Sequence, residues 1–100
     1  MGTLFYGAAR TPVRIDDRIL AHLKLVVTSK LRRNEPFLIS WHEGSEHGGG
    51  RSSIWMHPAC DLHYRFDGGK RAEIDQELIE KLSVAANAAR GIEIDEASRF

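Results

Sequence analysis

The residues best suited to chemistry lie in the segment 51–57, where groups able to recognise a ligand recur at every second position. Alternate side chains of a β-strand point to opposite faces. If this segment is a strand, Ile54 and Met56 enter the core and the other face meets solvent. That outer row consists of Arg51, Ser53, Trp55 and His57. A cation, a hydroxyl, an indole and an imidazole in one row are typical of a recognition surface, and they do not match the residue pattern of a known type of catalytic site.

Neighbouring segments with the same two-residue period extend this predicted surface. On an exposed sheet face, aromatic and basic side chains can stack bases and neutralise phosphates, as in several single-strand-binding modules. We therefore expect nucleic acid or another protein as the partner of this face, with a homodimer that buries Trp55 as an alternative. The predicted binding residues are Arg14, Arg51, Ser53, Trp55, His57, His63 and Arg65, with Leu38, Ser40 and His42 on the same face.

Charge is distributed unevenly along a chain whose formal net charge is zero. Five basic residues and no acid occupy positions 18–33, whereas seven acids and two basic residues occupy positions 73–96. Lys30, Arg32 and Arg33 form a second candidate binding site, for phosphate, although cations at the end of a helix also stabilise the helix itself. A basic end and an acidic end favour head-to-tail self-association or a polyanionic partner.

Metal binding and catalysis find weaker support in the sequence. The spacing His57-x-x-Cys60-x-x-His63, with His42 or His47 as a fourth ligand, is compatible with zinc, but the Cys-x-x-Cys pair of structural zinc sites is missing. Neither a phosphate loop nor a nucleophile with a supporting motif occurs. We therefore expect no metal, no cofactor and no catalytic residue.

The elements that position these residues follow from periodicity and capping signals. Strands are predicted at 3–6, 13–15, 37–42, 51–57, 62–66 and 92–94. A first helix should begin after Asp16 or Asp17 and end at Asn34, and a second should begin after Asp75 and end at Gly91. The order β-β-α-β-β-β-α-(β) predicts an α+β two-layer sandwich. Its largely antiparallel sheet would have five to six strands, with both helices on one face.

Length and composition indicate a single globular domain, which we place at 1–95 with a frayed tail at 96–100. Hydrophobic residues make up 42% and charged residues 28% of the 100 positions. The single cysteine excludes an internal disulfide, and we recognise no secretory signal or membrane-spanning run, so we expect a cytoplasmic protein that does not enter a membrane. The glycine-rich loop at 43–50 is either a lid or a simple connection.

Several short segments, spread over nearly the whole chain, are specific when taken together. They are Met1-Gly2-Thr3-Leu4, Tyr6-Gly7, Asp16-Asp17-Arg18, Leu20-Ala21-His22-Leu23, Lys30-Leu31-Arg32-Arg33, Ser40-Trp41, Gly50-Arg51-Ser52, Trp55 and His57-Pro58. With them the chain resembles a family of small actinobacterial proteins of unknown function. Members of that family are often labelled ATP-dependent DNA ligases.

The resemblance implies an alternative function as a DNA ligase or a ligase-accessory protein. Ligases of that class form a lysyl-adenylate on a Lys-x-Asp-Gly motif, which does not occur in this sequence. One hundred residues are also too few for a nucleotidyltransferase domain with its DNA clamp. We therefore expect a non-catalytic binding module, with the ligase-like protein and a homo-oligomeric structural protein as the two alternatives.

Overall fold

The computed structural model describes residues 1–44 and 48–95. Within them the predicted α+β class and the predicted element order are confirmed. The elements are β1 (Gly2–Tyr6), β2 (Thr11–Ile15), α1 (Asp17–Arg32), β3 (Phe37–His42), β4 (Arg51–Met56), β5 (Leu62–Phe66), α2 (Gln76–Asn87) and β6 (Ile92–Ile94). The predicted frayed tail, 96–100, and part of the predicted glycine-rich loop, 45–47, lie outside the described residues.

The strands divide between two three-stranded sheets instead of forming one. Sheet one has the order β2-β1-β5 and is antiparallel throughout, whereas sheet two has the order β4-β3-β6 with β6 parallel to β3. The division arises because β5 does not form a hairpin with β4, the strand before it. It pairs instead with the free edge of β1, from Gly2 opposite Phe66 to Tyr6 opposite Leu62. The short segment 57–61 therefore carries the chain from one sheet to the other.

Local signals at its two ends define helix α1. The Asp16 side chain accepts hydrogen bonds from the backbone N–H groups of Arg18 and Ile19, at 3.1 and 3.4 Å, and so caps the first turn. Asn34, directly beyond the C-cap, takes the left-handed conformation with φ 57°. Between these ends, α1 packs its apolar stripe on β1 and β5.

Helix α2 is capped by Asp75, as predicted, but it ends at Asn87, before Gly91. Gly91 has a different role at the start of β6. Its φ is +71°, and a Cβ atom placed there would lie 2.1 Å from the carbonyl oxygen of Leu38. Only glycine allows this close approach, which brings β6 alongside β3.

Two buried polar side chains of α1 hold the helices together. The His22 ring is fully buried: its Nδ1 lies 2.7 Å from the carbonyl oxygen of Arg18, and its Nε2 lies 2.8 Å from the backbone nitrogen of Asp75. Because a backbone N–H can only donate, Nε2 is the acceptor and Nδ1 carries the proton. At the other end of α1, the Lys30 ammonium lies 2.5 Å from the Asn87 amide oxygen.

The apolar side chains of both sheets and both helices form one core. α1 covers sheet one, α2 packs on β3 and β6, and the two helices pack against each other. The predicted core positions Ile54 and Met56 are confirmed. The buried set is Leu4, Val13, Ile15, Leu20, Leu23, Val26, Val27, Phe37, Ile39, Trp41, Ile54, Met56, Ala86, Ile92 and Ile94.

Candidate functional site

The division into two sheets separates the residues that the sequence placed on one face. Arg14, His63 and Arg65 belong to sheet one. Sheet two carries Ser40, His42, Arg51, Ser53 and Trp55, and His57 directly follows its strand β4. One direct bond between the sheets is donated by the Tyr6 hydroxyl, at the end of β1, to the carbonyl oxygen of Trp55 in β4. The predicted surface is therefore two candidate surfaces.

The outer face of sheet one presents cations on both sides of its central strand. Thr3 of β1 lies opposite Arg14 of β2 on one side and opposite Arg65 of β5 on the other. Both guanidinium side chains belong to exposed residues, whereas Thr3 is buried. The Arg14 guanidinium donates to the Thr3 hydroxyl at 2.9 Å and to the Asp67 carboxylate at 3.3 Å, so its orientation is fixed.

An aromatic group lies beside these cations on the same face. Phe5, two positions after Thr3, is half-buried and pairs across the sheet with His63, whose ring centroid is 5.4 Å away at an interplanar angle of 48°. The Arg10 guanidinium carbon lies 4.4 Å from the centroid of the Phe5 ring, within the range of a cation–π contact. The same guanidinium lies 3.3 Å from Nδ1 of His63, which therefore accepts.

We call this group the aromatic–arginine cluster, and define it as Phe5, Arg10, Arg14, His63 and Arg65. Sequence reasoning missed Phe5 and Arg10. The position of Phe5 follows from alternation, because Leu4 faces the core and its neighbours must face outward. Arg10 lies in the turn between β1 and β2, with φ 54°, and no local pattern indicates that its side chain folds back over Phe5.

The outer face of sheet two is a separate, more neutral surface. Trp55 is 49% exposed and lies opposite Leu38 across the sheet. The hydroxyl oxygens of Ser40 and Ser53 are 2.7 Å apart. A shallow groove of about 910 Å³ runs from this serine pair to Arg51, and also past Arg90 and Glu93, whose charged atoms are 3.9 Å apart. The surface thus combines one exposed indole with charges of both signs.

The predicted basic helix end is only partly available to a ligand. Lys30 is 5% exposed, and its ammonium lies 3.0 Å from a Glu35 carboxylate oxygen. Arg33 also binds Glu35, at 3.2 Å, whereas Arg32 is exposed. Hydrogen bonds from Lys30 and then from Arg33 lower the pKa of the Glu35 carboxyl. Lys30 thus contributes to the structure, and Arg32 and Arg33 are the members of this set that reach solvent.

The residues considered for zinc are arranged for other contacts. The Cys60 thiol lies 2.9 Å from the carbonyl oxygen of His57, and the His63 ring lies on the outer face of sheet one beside Arg10. Within residues 1–44 and 48–95, no three His, Cys, Asp or Glu side chains converge as metal ligands. His47, one of the two fourth ligands considered, lies outside the described residues.

Tyr64 carries a buried polar atom that takes no part in either surface. Its hydroxyl is inaccessible to solvent and has no hydrogen-bond partner among the residues that the structure describes. Burial, and then the neighbouring Cys60, raise the pKa of this phenol. The ring packs against the core, so we assign Tyr64 a structural role.

Comparison with known proteins identifies the family of the chain but no characterised relative. Neither a curated protein nor a solved structure matches it. Among the described residues, no helix has the length and apolar character needed to cross a bilayer. A family model described as a domain of unknown function (DUF7882) matches residues 1–97. The chain therefore belongs to the DUF7882 family.

Proposed function

We propose that this protein is a non-catalytic binding module that holds single-stranded nucleic acid on the outer face of sheet one. The observation that carries the proposal is the aromatic–arginine cluster, in which Arg10 covers the Phe5 ring at 4.4 Å while Arg14 and Arg65 flank it. Aromatic rings and guanidinium planes accept stacked bases, and guanidinium groups bind phosphate.

The spacing within the cluster suits a nucleotide. Residues two apart on a strand are roughly 7 Å apart, and neighbouring strands are about 4.8 Å apart. Arg14 and Arg65 lie opposite Thr3, so each is displaced from Phe5 by two residues along the strand direction and by one strand across the sheet. A base stacked on the outer side of the Arg10 guanidinium would leave its phosphate within reach of Arg65. Arg65 has no ion-pair partner among the described residues, so it is ready to bind an anion.

A single strand fits this surface better than a duplex does. Bases in a duplex are stacked on each other and cannot stack on the Arg10 guanidinium above Phe5, whereas unpaired bases can splay onto it. A duplex would use only the arginines, through its backbone. The proposal therefore predicts tighter binding of single strands than of duplexes of the same length.

The test is fluorescence anisotropy with labelled single-stranded DNA and RNA over a salt series. Removal of a stacking contact costs about 1 to 3 kcal/mol, so we expect Phe5→Ala and Arg10→Ala each to weaken binding roughly 5- to 150-fold. Arg65→Gln should lower affinity and reduce the dependence on salt by about 0.7 in the log–log slope, since one phosphate contact is lost.

Trp55→Ala is the matched control, because it removes an exposed aromatic side chain from the other sheet. We expect this variant to bind like the wild type. If no oligonucleotide binds at about 50 mM salt, where phosphate contacts are strong, the proposed function is wrong. Equal losses from Phe5→Ala and Trp55→Ala would also contradict the assignment to sheet one.

A protein partner on the outer face of sheet two is the second candidate. The observation in its favour is Trp55, which is 49% exposed beside Leu38. Half-exposed indoles are common anchors in protein interfaces. Sedimentation of the wild type and of Trp55→Ala distinguishes self-association through this face from binding to another protein, because only self-association changes the mass of the purified protein.

A further inference from the structure

Two adjoining hollows line the outer side of α1 and share Lys24 and Leu25. The first, of about 410 Å³, lies between α1 and the segment 66–74. The second, of about 520 Å³, continues along α1 to Arg32 and Arg33. We call them together the basic–apolar surface. The residues used below are Lys24, Leu25, Arg32, Lys70, Arg71 and Ile74.

Of the five cations that line the basic–apolar surface, Arg33 alone has an ion-pair partner among the described residues, Glu35 at 3.2 Å. Among residues 1–44 and 48–95, no ion pair is formed by Lys24, Arg32, Lys70 or Arg71. Asp17, the acidic residue in the first hollow, already accepts a hydrogen bond from the backbone N–H of Gly68 at 3.0 Å. The surface therefore has an excess of positive charge, which attracts an acidic partner.

Apolar groups within the same surface favour a protein partner over a nucleic acid. Leu25 is 42% exposed and Ile74 is 56% exposed, and both line the first hollow. Covering these side chains removes apolar area from water, which is favourable. A phosphate backbone would neutralise the cations but would leave Leu25 and Ile74 exposed to water. An acidic segment with an apolar anchor satisfies both.

The outer face of α2 has that composition. Glu77, Glu80 and Val84 follow each other at intervals of three and four residues, so they lie on one side of the helix. All three are exposed, and Val84 is the most exposed large apolar side chain of the described residues, at 72%. Lys81 lies on the same side, four residues after Glu77 and three before Val84, so it reduces the charge of this side, which remains negative because two glutamates face one lysine. We call Glu77, Glu80 and Val84 the acidic face.

From this complementarity we infer that the basic–apolar surface of one chain binds the acidic face of a second copy. Val84 would pack against Leu25 and Ile74, and the glutamates would lie near Lys24 and Arg71. The contact joins two different surfaces. Each chain can therefore bind one neighbour through its basic–apolar surface and another through its acidic face. The contact uses the outer face of neither sheet, and it is therefore independent of the proposed nucleic-acid binding.

The test uses charge reversal on each surface separately, followed by mixing. We expect the average mass of the wild type in sedimentation experiments to rise as the protein concentration increases from micromolar to millimolar. The rise should be smaller at high salt. The double variants Lys24→Glu/Arg71→Glu and Glu77→Lys/Glu80→Lys should each remain monomeric alone. In an equimolar mixture the intact surfaces of the two variants are complementary, and so are the two reversed surfaces, so the mixture should regain association.

Matched controls reverse the same kinds of charge elsewhere. Arg65→Glu on sheet one and Glu93→Lys on sheet two should associate like the wild type, and circular dichroism checks that every variant is folded. A wild type that stays monomeric throughout overturns the inference. So does association that survives both double variants but is lost in Trp55→Ala. A mixture of folded double variants that fails to associate also overturns it, as does oligonucleotide binding at this surface without self-association.

Discussion

The fully buried His22 is a sensitive point of the fold, and its replacement by leucine is the prediction that we develop first. The imidazole accepts a hydrogen bond from the backbone N–H of Asp75, the residue that caps α2. Leucine has similar bulk but no acceptor. His22→Leu should therefore leave the core filled while removing the polar link between α1 and the start of α2.

The magnitude follows from the two bonds of the ring. Loss of the acceptor leaves the Asp75 N–H without a partner, which costs about 1 to 3 kcal/mol. Loss of the bond to the Arg18 carbonyl costs less, because that oxygen keeps its helical hydrogen bond. The added apolar burial of leucine offsets part of the total. We expect the free energy of unfolding to fall by about 2 kcal/mol.

Urea denaturation measures this change. With a slope of about 1 to 2 kcal/mol per M, the midpoint should move down by roughly 1 to 2 M. Hydrogen exchange gives the local readout, because the Asp75 amide should lose protection more than the amides of β1 do. His63→Leu, at an exposed position, is the matched control and should change the free energy of unfolding by less than about 0.5 kcal/mol.

Two results would refute this reasoning. One is a His22→Leu protein as stable as the wild type, with the Asp75 amide still protected. The other is a nitrogen NMR spectrum that places the proton of the neutral His22 ring on Nε2, because Nε2 could then not accept the bond from Asp75.

Three further predictions concern stability. Gly91→Ala should lower the free energy of unfolding by about 3 kcal/mol or more, because the strain of a left-handed φ and a clash with Leu38 add. Gly7→Ala, at φ +76° in open space, should lower it by only about 1 kcal/mol. Equal shifts in melting temperature for the two variants would contradict this. Tyr64→Phe should be neutral or stabilise by about 1 kcal/mol in urea, since it removes an unpartnered buried hydroxyl, and a clear loss would reveal a partner. The Gly68 N–H lowers the pKa of the Asp17 carboxyl, so this ion stabilises the fold above its unfolded pKa of about 3.9. Asp17→Asn should therefore be less stable by about 1 kcal/mol at pH 7, and the difference should vanish as the pH falls from about 5 to about 2; a difference independent of pH would be the contrary result.

The helices were predictable because their signals are local. Asp16 and Asp75 each precede an apolar stripe of helical period, and each accepts bonds from the backbone N–H groups two and three residues ahead. Asn34 likewise ends α1 through its own backbone conformation. Only the end of α2 differs, because Gly91 is required by the approach of β6 to β3 and not by the helix.

The partition of the strands was not predictable in the same way. Period-two alternation predicts which side of a strand faces the core. The alternation of β5 would be the same whether β5 paired with β4 or with β1, so it does not identify the partner strand. The observed pairing joins Tyr6 to Leu62, far apart in sequence, and no local pattern encodes that choice. The predicted recognition surface therefore contained suitable residues but assigned them to one sheet.

Two cations show the same limit for individual side chains. Lys30 has the sequence position of a helix-end cation, yet Asn87 of α2 and Glu35 enclose it. Arg10 lies in a turn, where a solvated side chain is the ordinary expectation, yet it covers Phe5. In both cases the partner comes from a segment whose position depends on the tertiary fold.

The two sheets each combine strands from both halves of the chain. Residues before 44 supply β1, β2 and β3, and residues after 48 supply β4, β5 and β6, yet sheet one needs β5 and sheet two needs both β4 and β6. During synthesis, sheet two therefore stays open until Ile94 has left the ribosome. A chain divided between β3 and β4 would yield two fragments with complementary open edges, neither holding a complete three-stranded sheet. Because each fragment lacks a strand that the other supplies, we expect the two to reassemble when fused proteins bring them together.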